Sequence, residues 1–337
     1  MAITIKDIAK WSGYSVGTVS RVLNNHPDVS DKARQKILAV IHEKNFEPNA
    51  NARHLKMQQR SAVAILVKGT NNLLFADILE RTQDLILKNG EEAFVAYLDE
   101  DENEVAEAIK IYRTRRPKGF IFLGGDLEYF RRDFKHIKVP SVLLTNSAET
   151  LNFPNLSSFT IDDRAAAGRV IDLFYENGHR HIAVVGGNLS HDQISYRRIQ
   201  GVEEKMQAHG LAFELEKQYE PCRFSLSEGY RATRKLLAGN KDMTALFALS
   251  DVIAFGAIRA IYDSGLRVPE DISVVGFDGI ETGDYTIPRL STIYQNTERL
   301  AGSGVYTLLQ RLHFNSGAVH EIIPYELKIR ESVRALK

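Results

Sequence analysis

The 337 residues include a single cysteine, Cys222, which excludes an intrachain disulfide and a cysteine-only zinc site. No apolar run approaches the ~18 residues that a membrane-spanning helix requires. The opening MAITIKDIAK has no long apolar stretch behind a basic end, so secretion is not expected and the cytoplasm is. Neither sign of charge is in excess, with 43 Lys and Arg against 43 Asp and Glu. Low-complexity segments are absent. So are GxxxxGK[ST], GxGxxG after a strand, HExxH and GxSxG, which leaves phosphate transfer, dinucleotide redox, zinc proteolysis and serine hydrolysis without their usual supports. The expectation is a protein that is not an enzyme and calls for no cofactor and no metal.

At this length one compact domain would be unusually large, so two or three are expected, and a 44% hydrophobic fraction is enough for full cores. The balanced charge is unevenly spread. Residues 1–60 carry 10 Lys and Arg against 5 Asp and Glu, an excess of the sign that neutralises phosphates.

That basic end contains TIKDIAKWSGYSVGTVSRVL, Thr4 to Leu23. Thr4 can cap a helix with Asp7 three positions on, placing Ile5, Ile8 and Ala9 on one face. Ser12-Gly13 breaks the run, and Gly13 permits a positive φ. Ser15 can then cap a second helix whose inward face is Thr18, Val19, Val22 and Leu23. The pattern is a helix-turn-helix, whose second helix enters the DNA major groove with Ser15, Val16 and Gly17 in its first turn and Arg21 one turn on. Ser30-Asp31 caps a third helix, with Ala33, Ile37, Val40 and Ile41 inward, ending near Asn45.

The string IKDIAK-x-x-G-x-S-x-x-TVSRVLN resembles the opening of the LacI/GalR family of bacterial transcription regulators, and the likeness runs on to the C-terminus. Ser12 stands where the family usually has alanine, and Tyr14 where it has a small aliphatic residue, so packing in the turn differs. The resemblance implies DNA contacts from Thr4, Thr18, Ser20 and Asn24 beside the four residues above. It also implies that residues 48–60 form a hinge helix that orders on DNA. There Asn49, Ala52 and Arg53 would make contacts, and Leu55, matched within PNxxARxL, would wedge into a base step of the minor groove. A leucine on such a short, marginal helix is a poor stabiliser but a good wedge.

From Ala62 onward short apolar runs alternate with amphipathic stretches: AVAILV (62–67), AFVAYL (93–98), GFIFLG (119–124) and SVLL (141–144), then HIAVVGG (181–187), ALFAL (245–249) and ISVVGF (272–277). Such runs between helices are the mark of buried parallel strands, and two sets mean two doubly wound lobes with a ligand cleft between them. The expected fold is a small all-α helix-turn-helix head (1–47) and hinge (48–60) on an α/β core of two doubly wound parallel-sheet lobes, like the periplasmic binding proteins the family's core resembles. Lobe one is expected at about 61–158 and 293–322, lobe two at about 159–292 and 323–337. Ser291 to Phe314 should return to lobe one, and Glu321 to Ile329 should form a final strand.

Within the cleft, the family pattern implies that Arg198 in YRRIQG grips effector hydroxyls or carboxylates. It implies that Asp278, closing ISVVGFD, accepts from vicinal hydroxyls. A charged donor and a charged acceptor facing one cavity suit a polyol. An N-cap role for Asp278 and a surface ion pair for Arg198 are the alternatives. Phe224 matches an aromatic that stacks on a sugar face, and Phe75 follows the first strand, although either could be core. Ser250-Asp251 replaces the family's Asn-Asp pair, Thr145 stands where the lactose-type regulators place an aspartate, and Gln295 keeps a polar match. His179 and His181 could in principle ligate a metal, but a solvated turn is the simpler account, and Asp99 to Glu102 read as a solvated loop.

The expectation is therefore a ligand-responsive repressor. It acts as a homodimer on an inverted-repeat operator, with a mono- or disaccharide effector and no membrane partner. Control by a phosphocarrier protein, or a plain sugar-binding protein, are the alternatives. ESVRALK closes the sequence without a leucine heptad, so assembly should stop at a dimer.

Overall fold

In the computed structural model the chain divides into two compact units, residues 1–59 and 60–337. The structure describes residues 5–23, 29–44, 62–69, 72–190, 193–314 and 316–336.

The head contains α1 (Ile5–Ser12), α2 (Val16–Leu23) and α3 (Asp31–Glu43). Capping sets where two of them begin. Ser15 Oγ accepts from Thr18 N at 3.1 Å and Ser30 Oγ from Ala33 N at 3.4 Å, each satisfying a donor that the first turn leaves unpaired. Gly13, at φ +73°, makes the turn between α1 and α2. Ile8, Val19 and Ile37 are completely buried, and Ala9, Val22, Val29 and Ala33 complete a very small core. Of the expected inward face of α2, Thr18 and Leu23 are only half-buried. Ser12 is tolerated inside because its hydroxyl donates to the Ala9 carbonyl at 3.3 Å. Tyr14 packs at the core's edge with Lys36 Nζ 5.8 Å from its ring.

The larger unit starts with β1 (Val63–Lys68), α4 (Leu73–Lys88), β2 (Ala93–Leu98), α5 (Glu104–Arg115), β3 (Gly119–Leu123), α6 (Leu127–Asp133), β4 (Ser141–Leu144) and β5 (Leu156–Thr160). The chain then crosses to the second lobe: α7 (Asp163–Glu176), β6 (Ile182–Val185), α8 (Ile194–Ala208), α9 (Leu215–Gln218), β7 (Tyr219–Glu220), α10 (Leu226–Gly239), β8 (Ala245–Ala248), α11 (Asp251–Asp263), β9 (Ser273–Asp278) and β10 (Ser291–Gln295). It returns as α12 (Thr297–His313), which packs on β4 and β5, and as β11 (His320–Ile322), then crosses once more into β12 (Tyr325–Lys328). The sheets have order β11-β5-β4-β3-β1-β2 and β12-β10-β9-β8-β6-β7. All neighbours are parallel except β10 and β12. Every residue of β1, β3, β4, β6, β8 and β9 is buried, as layers of helices on both faces demand.

Two expectations are corrected here. The crossings fall after Thr160 and Gln295 rather than at 158 and 292, because β5 belongs to the first sheet and β10 to the second. The stretch from Ser291 therefore gives a strand to lobe two before its helix returns to lobe one. The single closing strand is two short ones, one for each sheet, since the chain changes lobe between Ile322 and Tyr325. β5 and β10 escaped notice because LSSFT and STIYQ are half polar: Ser157, Ser158, Ser291 and Thr292 are buried within the sheets.

Candidate functional site

A cavity of about 300 Å³ lies between the lobes of the larger unit. Most of its polar side chains sit at or just past the carboxyl ends of strands, where parallel sheets place ligands: Lys68 ends β1, Thr145 follows β4, Asp278 ends β9 and Gln295 ends β10. Two of these hold unusual backbone angles, Thr145 at φ +70° and Asp278 at φ +118°. Non-glycine residues avoid that region, and such strain collects where a side chain must be aimed at a site. Gly124, just past β3, serves the opposite purpose. At φ +76° it leaves room for Phe75, and a Cβ there would sit 2.9 Å from that ring.

The floor is charged and buried. Arg198, 5% exposed, donates from Nε to Asp163 Oδ1 at 2.8 Å and from Nη1 to the Leu249 carbonyl at 2.5 Å, and its guanidinium lies 3.6 Å from the Phe277 ring centroid. It is thus no surface ion pair. Asp278, 3% exposed, accepts from Gln295 Nε2 at 2.8 Å through Oδ1, leaving its second oxygen to the cavity among the described residues. It caps no helix. Burial pushes the Asp278 carboxyl well above the usual range, opposed by Arg198, and Asp163 moves the same way for the same reason. On the first lobe Lys68 Nζ pairs with Glu104 Oε2 at 2.6 Å, both buried, and burial raises the Glu104 carboxyl against that pairing.

Six of the seven expected cleft residues line this cavity: Phe75, Thr145, Arg198, Phe224, Asp278 and Gln295. Ser250 does not. It is buried at the start of α11, where its hydroxyl accepts from Ile253 N at 3.4 Å, so its role is that of a helix cap. Its neighbour Asp251 is also structural, accepting from Ile280 N at 2.8 Å and from Thr292 Oγ1 at 2.6 Å. His179 is buried, with Nδ1 3.0 Å from Thr244 Oγ1 and Nε2 3.1 Å from the Arg334 carbonyl. That replaces the expected solvated turn with a hydrogen-bonded core histidine. No group of residues suited to a metal ion occurs among those described.

Sequence reasoning missed Lys68, Asn146, Gln193, Glu228 and the Asp99, Glu100 and Arg223 set, all of which line the cavity. Lys68 was discoverable, as a lysine closing an otherwise wholly apolar strand. Asp99 and Glu100 looked like solvated loop, yet they reach Arg223 of the other lobe.

In the head, Ser15, Val16, Gly17 and Arg21 are exposed, while Thr18 and Ser20 are half-buried. Ser15 Oγ and Thr18 Oγ1 lie 3.0 Å apart, so capping occupies both hydroxyls. Thr4, Asn24, Asn49, Ala52, Arg53 and Leu55 lie outside the described residues.

Among the described residues no helix is long and apolar enough to cross a membrane. Residues 4–49 match the model for bacterial regulatory proteins of the lacI family, and residues 171–333 match that for a periplasmic binding protein-like domain. The chain is 34% identical to the HTH-type transcriptional regulator MalR of Clostridium butyricum, over 98% of its own length and 99% of the regulator's. Its structure superposes on the lac repressor dimer bound to operator and the anti-inducer ONPF with a TM-score of 0.75 at 26% identity, covering 99% of this chain and 100% of the other. It superposes on the regulator CelR in complex with cellobiose with a TM-score of 0.69 at 26% identity, covering 98% and 99%. Two lobes closing on a charged cavity, a capped helix pair at the basic end and likeness over nearly the whole length agree: the chain belongs to the LacI family of bacterial regulatory proteins.

Proposed function

We propose that this regulator is a cytoplasmic repressor that binds an inverted-repeat operator as a homodimer and is controlled by a neutral sugar in the cleft. The carrying observation is the cavity floor, where Arg198 offers donors and Asp278 an acceptor side by side. Each cation lining the cavity already has a carboxylate partner among the described residues: Lys68 has Glu104, Arg198 has Asp163, and Arg223 has Asp99 and Glu100. An anionic ligand would find no unpaired cation waiting, whereas hydroxyls can add to the donors and acceptors left over. The aromatic rings of Phe75 and Phe224 supply apolar faces for a sugar ring. CelR bound to cellobiose supports the same reading.

A ligand that touches both lobes favours the closed arrangement by its differential affinity for it. β1 begins just after the hinge stretch, so a shift of lobe one changes where the hinge is anchored. The effector thereby biases operator binding.

Footprinting on the chain's own upstream region tests the DNA half. The expected footprint is an inverted repeat with a deformable pyrimidine-purine step at its centre. Arg21→Ala should lose roughly 1–3 kcal/mol of operator affinity if Arg21 reads a guanine. A direct repeat would overturn the two-fold geometry.

A further inference from the structure

The cavity is not equally buried throughout. Its floor, Arg198, Asp278 and Gln295, is at most 5% exposed. Arg223, which also lines it, has a side chain 48% exposed, and its partner Asp99 is 56% exposed. Residues that line a cavity and are half in water form its rim. Across this rim the lobes are tied together: Arg223 of lobe two pairs through Nη2 with Asp99, and through Nε with Glu100 Oε1 at 2.7 Å. Asp101 adds a contact at 3.4 Å. The other oxygen of Glu100 accepts from Phe224 N at 3.3 Å, so the same carboxylate that holds Arg223 also fixes the backbone beneath the Phe224 ring. A second tie, Gln193 Nε2 to Asp126 Oδ2 at 2.6 Å, joins the lobes at another point.

We propose that the Asp99, Glu100 and Arg223 cluster is the size filter of the cleft, shutting its mouth so that a one-ring sugar fits behind it and a two-ring sugar must break it. This rests on the sugar reading above. The cavity of about 300 Å³ is at the bottom of the roughly 300–1,000 Å³ range of small-molecule sites. On this proposal a ring seated between Asp278 and Phe224 takes up most of that volume, and a second ring extends toward Arg223. Exposed ion pairs are individually weak, but here one guanidinium meets three carboxylates and fixes Phe224, so displacing it should reduce affinity about tenfold.

Calorimetry with full-length protein decides this, using ribose, glucose and galactose against maltose and cellobiose. Native protein should prefer a one-ring sugar by at least about tenfold, and Arg223→Met should shrink that ratio about tenfold by gaining disaccharide affinity. Glu100→Gln should shift it in the same direction. A native protein that binds a disaccharide as tightly as any monosaccharide, or an unchanged ratio in Arg223→Met, overturns the filter. If no sugar binds either protein, the sugar reading falls, and the rim is judged without ligand. Spin labels are then placed on each lobe in a Cys222→Ala background, at the exposed positions 110 and 231. Their separation should lengthen and broaden in Arg223→Met, and an unchanged distribution overturns the tie.

Discussion

The head presents Ser15, Val16, Gly17 and Arg21 within two turns of one helix, exposed to solvent, over a core built on Ile8, Val19 and Ile37. The cleft gathers Lys68, Thr145, Asp278 and Gln295 from strand ends and Arg198 from the helix α8, spread across the whole larger unit, and buries most of them. In the first site, apart from Ser15, whose hydroxyl caps the helix, the exposed side chains can be lost without loss of the fold, because they do not pack in the core. In the second, the groups that line the cavity are also structural partners. Function and stability are separable in the head and joined in the cleft.

The largest effect expected from that contrast is at Arg198. Arg198→Ala leaves Asp163 buried without its cation, a change that costs roughly 3–5 kcal/mol. It should lower the melting of the larger unit and abolish effector binding together. If calorimetry finds the sugar response lost with the unfolding transition unmoved, the two roles are separate after all.

Next comes Ile37→Ala, which opens a void in a head with very little core and costs roughly 2–5 kcal/mol. Operator binding should disappear because the head unfolds, while effector affinity in the larger unit stays unchanged. A drop in effector affinity would show the units to be coupled in stability.

The smallest effect sharpens the cost of burial in the larger unit. Burial pushes the Asp251 carboxyl up to about 7, opposed by the hydrogen bonds from Thr292, Ile280 and Gly279. A raised folded value means the folded state prefers the proton, so this contribution is complete below the ordinary carboxylate range, near pH 4, and is lost as pH rises through about 7. Asp163, Asp278 and Glu104 are shifted in the same direction. Relative to Asp251→Asn, the native protein should therefore lose a few degrees of melting temperature between pH 5 and pH 8. A constant difference would place the proton elsewhere.

The same contrast explains what could be read from sequence. Helix caps and turn glycine act over three or four residues, so Ser15, Gly13 and Ser30 announce the head directly. Apolar runs announced seven strands of the two lobes. β5, β7, β10, β11 and β12 were hidden or blurred, because hydroxyls replaced hydrophobes or because two to four partly exposed residues leave no apolar run. Resemblance placed Asp278 and Arg198 in the cleft, and both line the cavity, whereas Ser250 lies outside that lining: a serine at a strand end can face a cleft or cap the next helix, and only geometry separates the two. Arg223 and Glu100 could not have been paired from sequence: they lie 123 positions apart on different lobes, and nothing local marks either.

The central claim is that occupancy of the cleft sets the affinity of the head for DNA. Fluorescence anisotropy of the full-length protein on its own upstream inverted repeat, titrated with the sugar panel in native and Asp278→Ala forms, tests it directly. The account predicts equal operator affinity without sugar, a sugar-dependent shift in the native protein, and no shift in Asp278→Ala. A sugar that binds the native protein without altering operator affinity, or one that alters it equally in Asp278→Ala, would contradict the account.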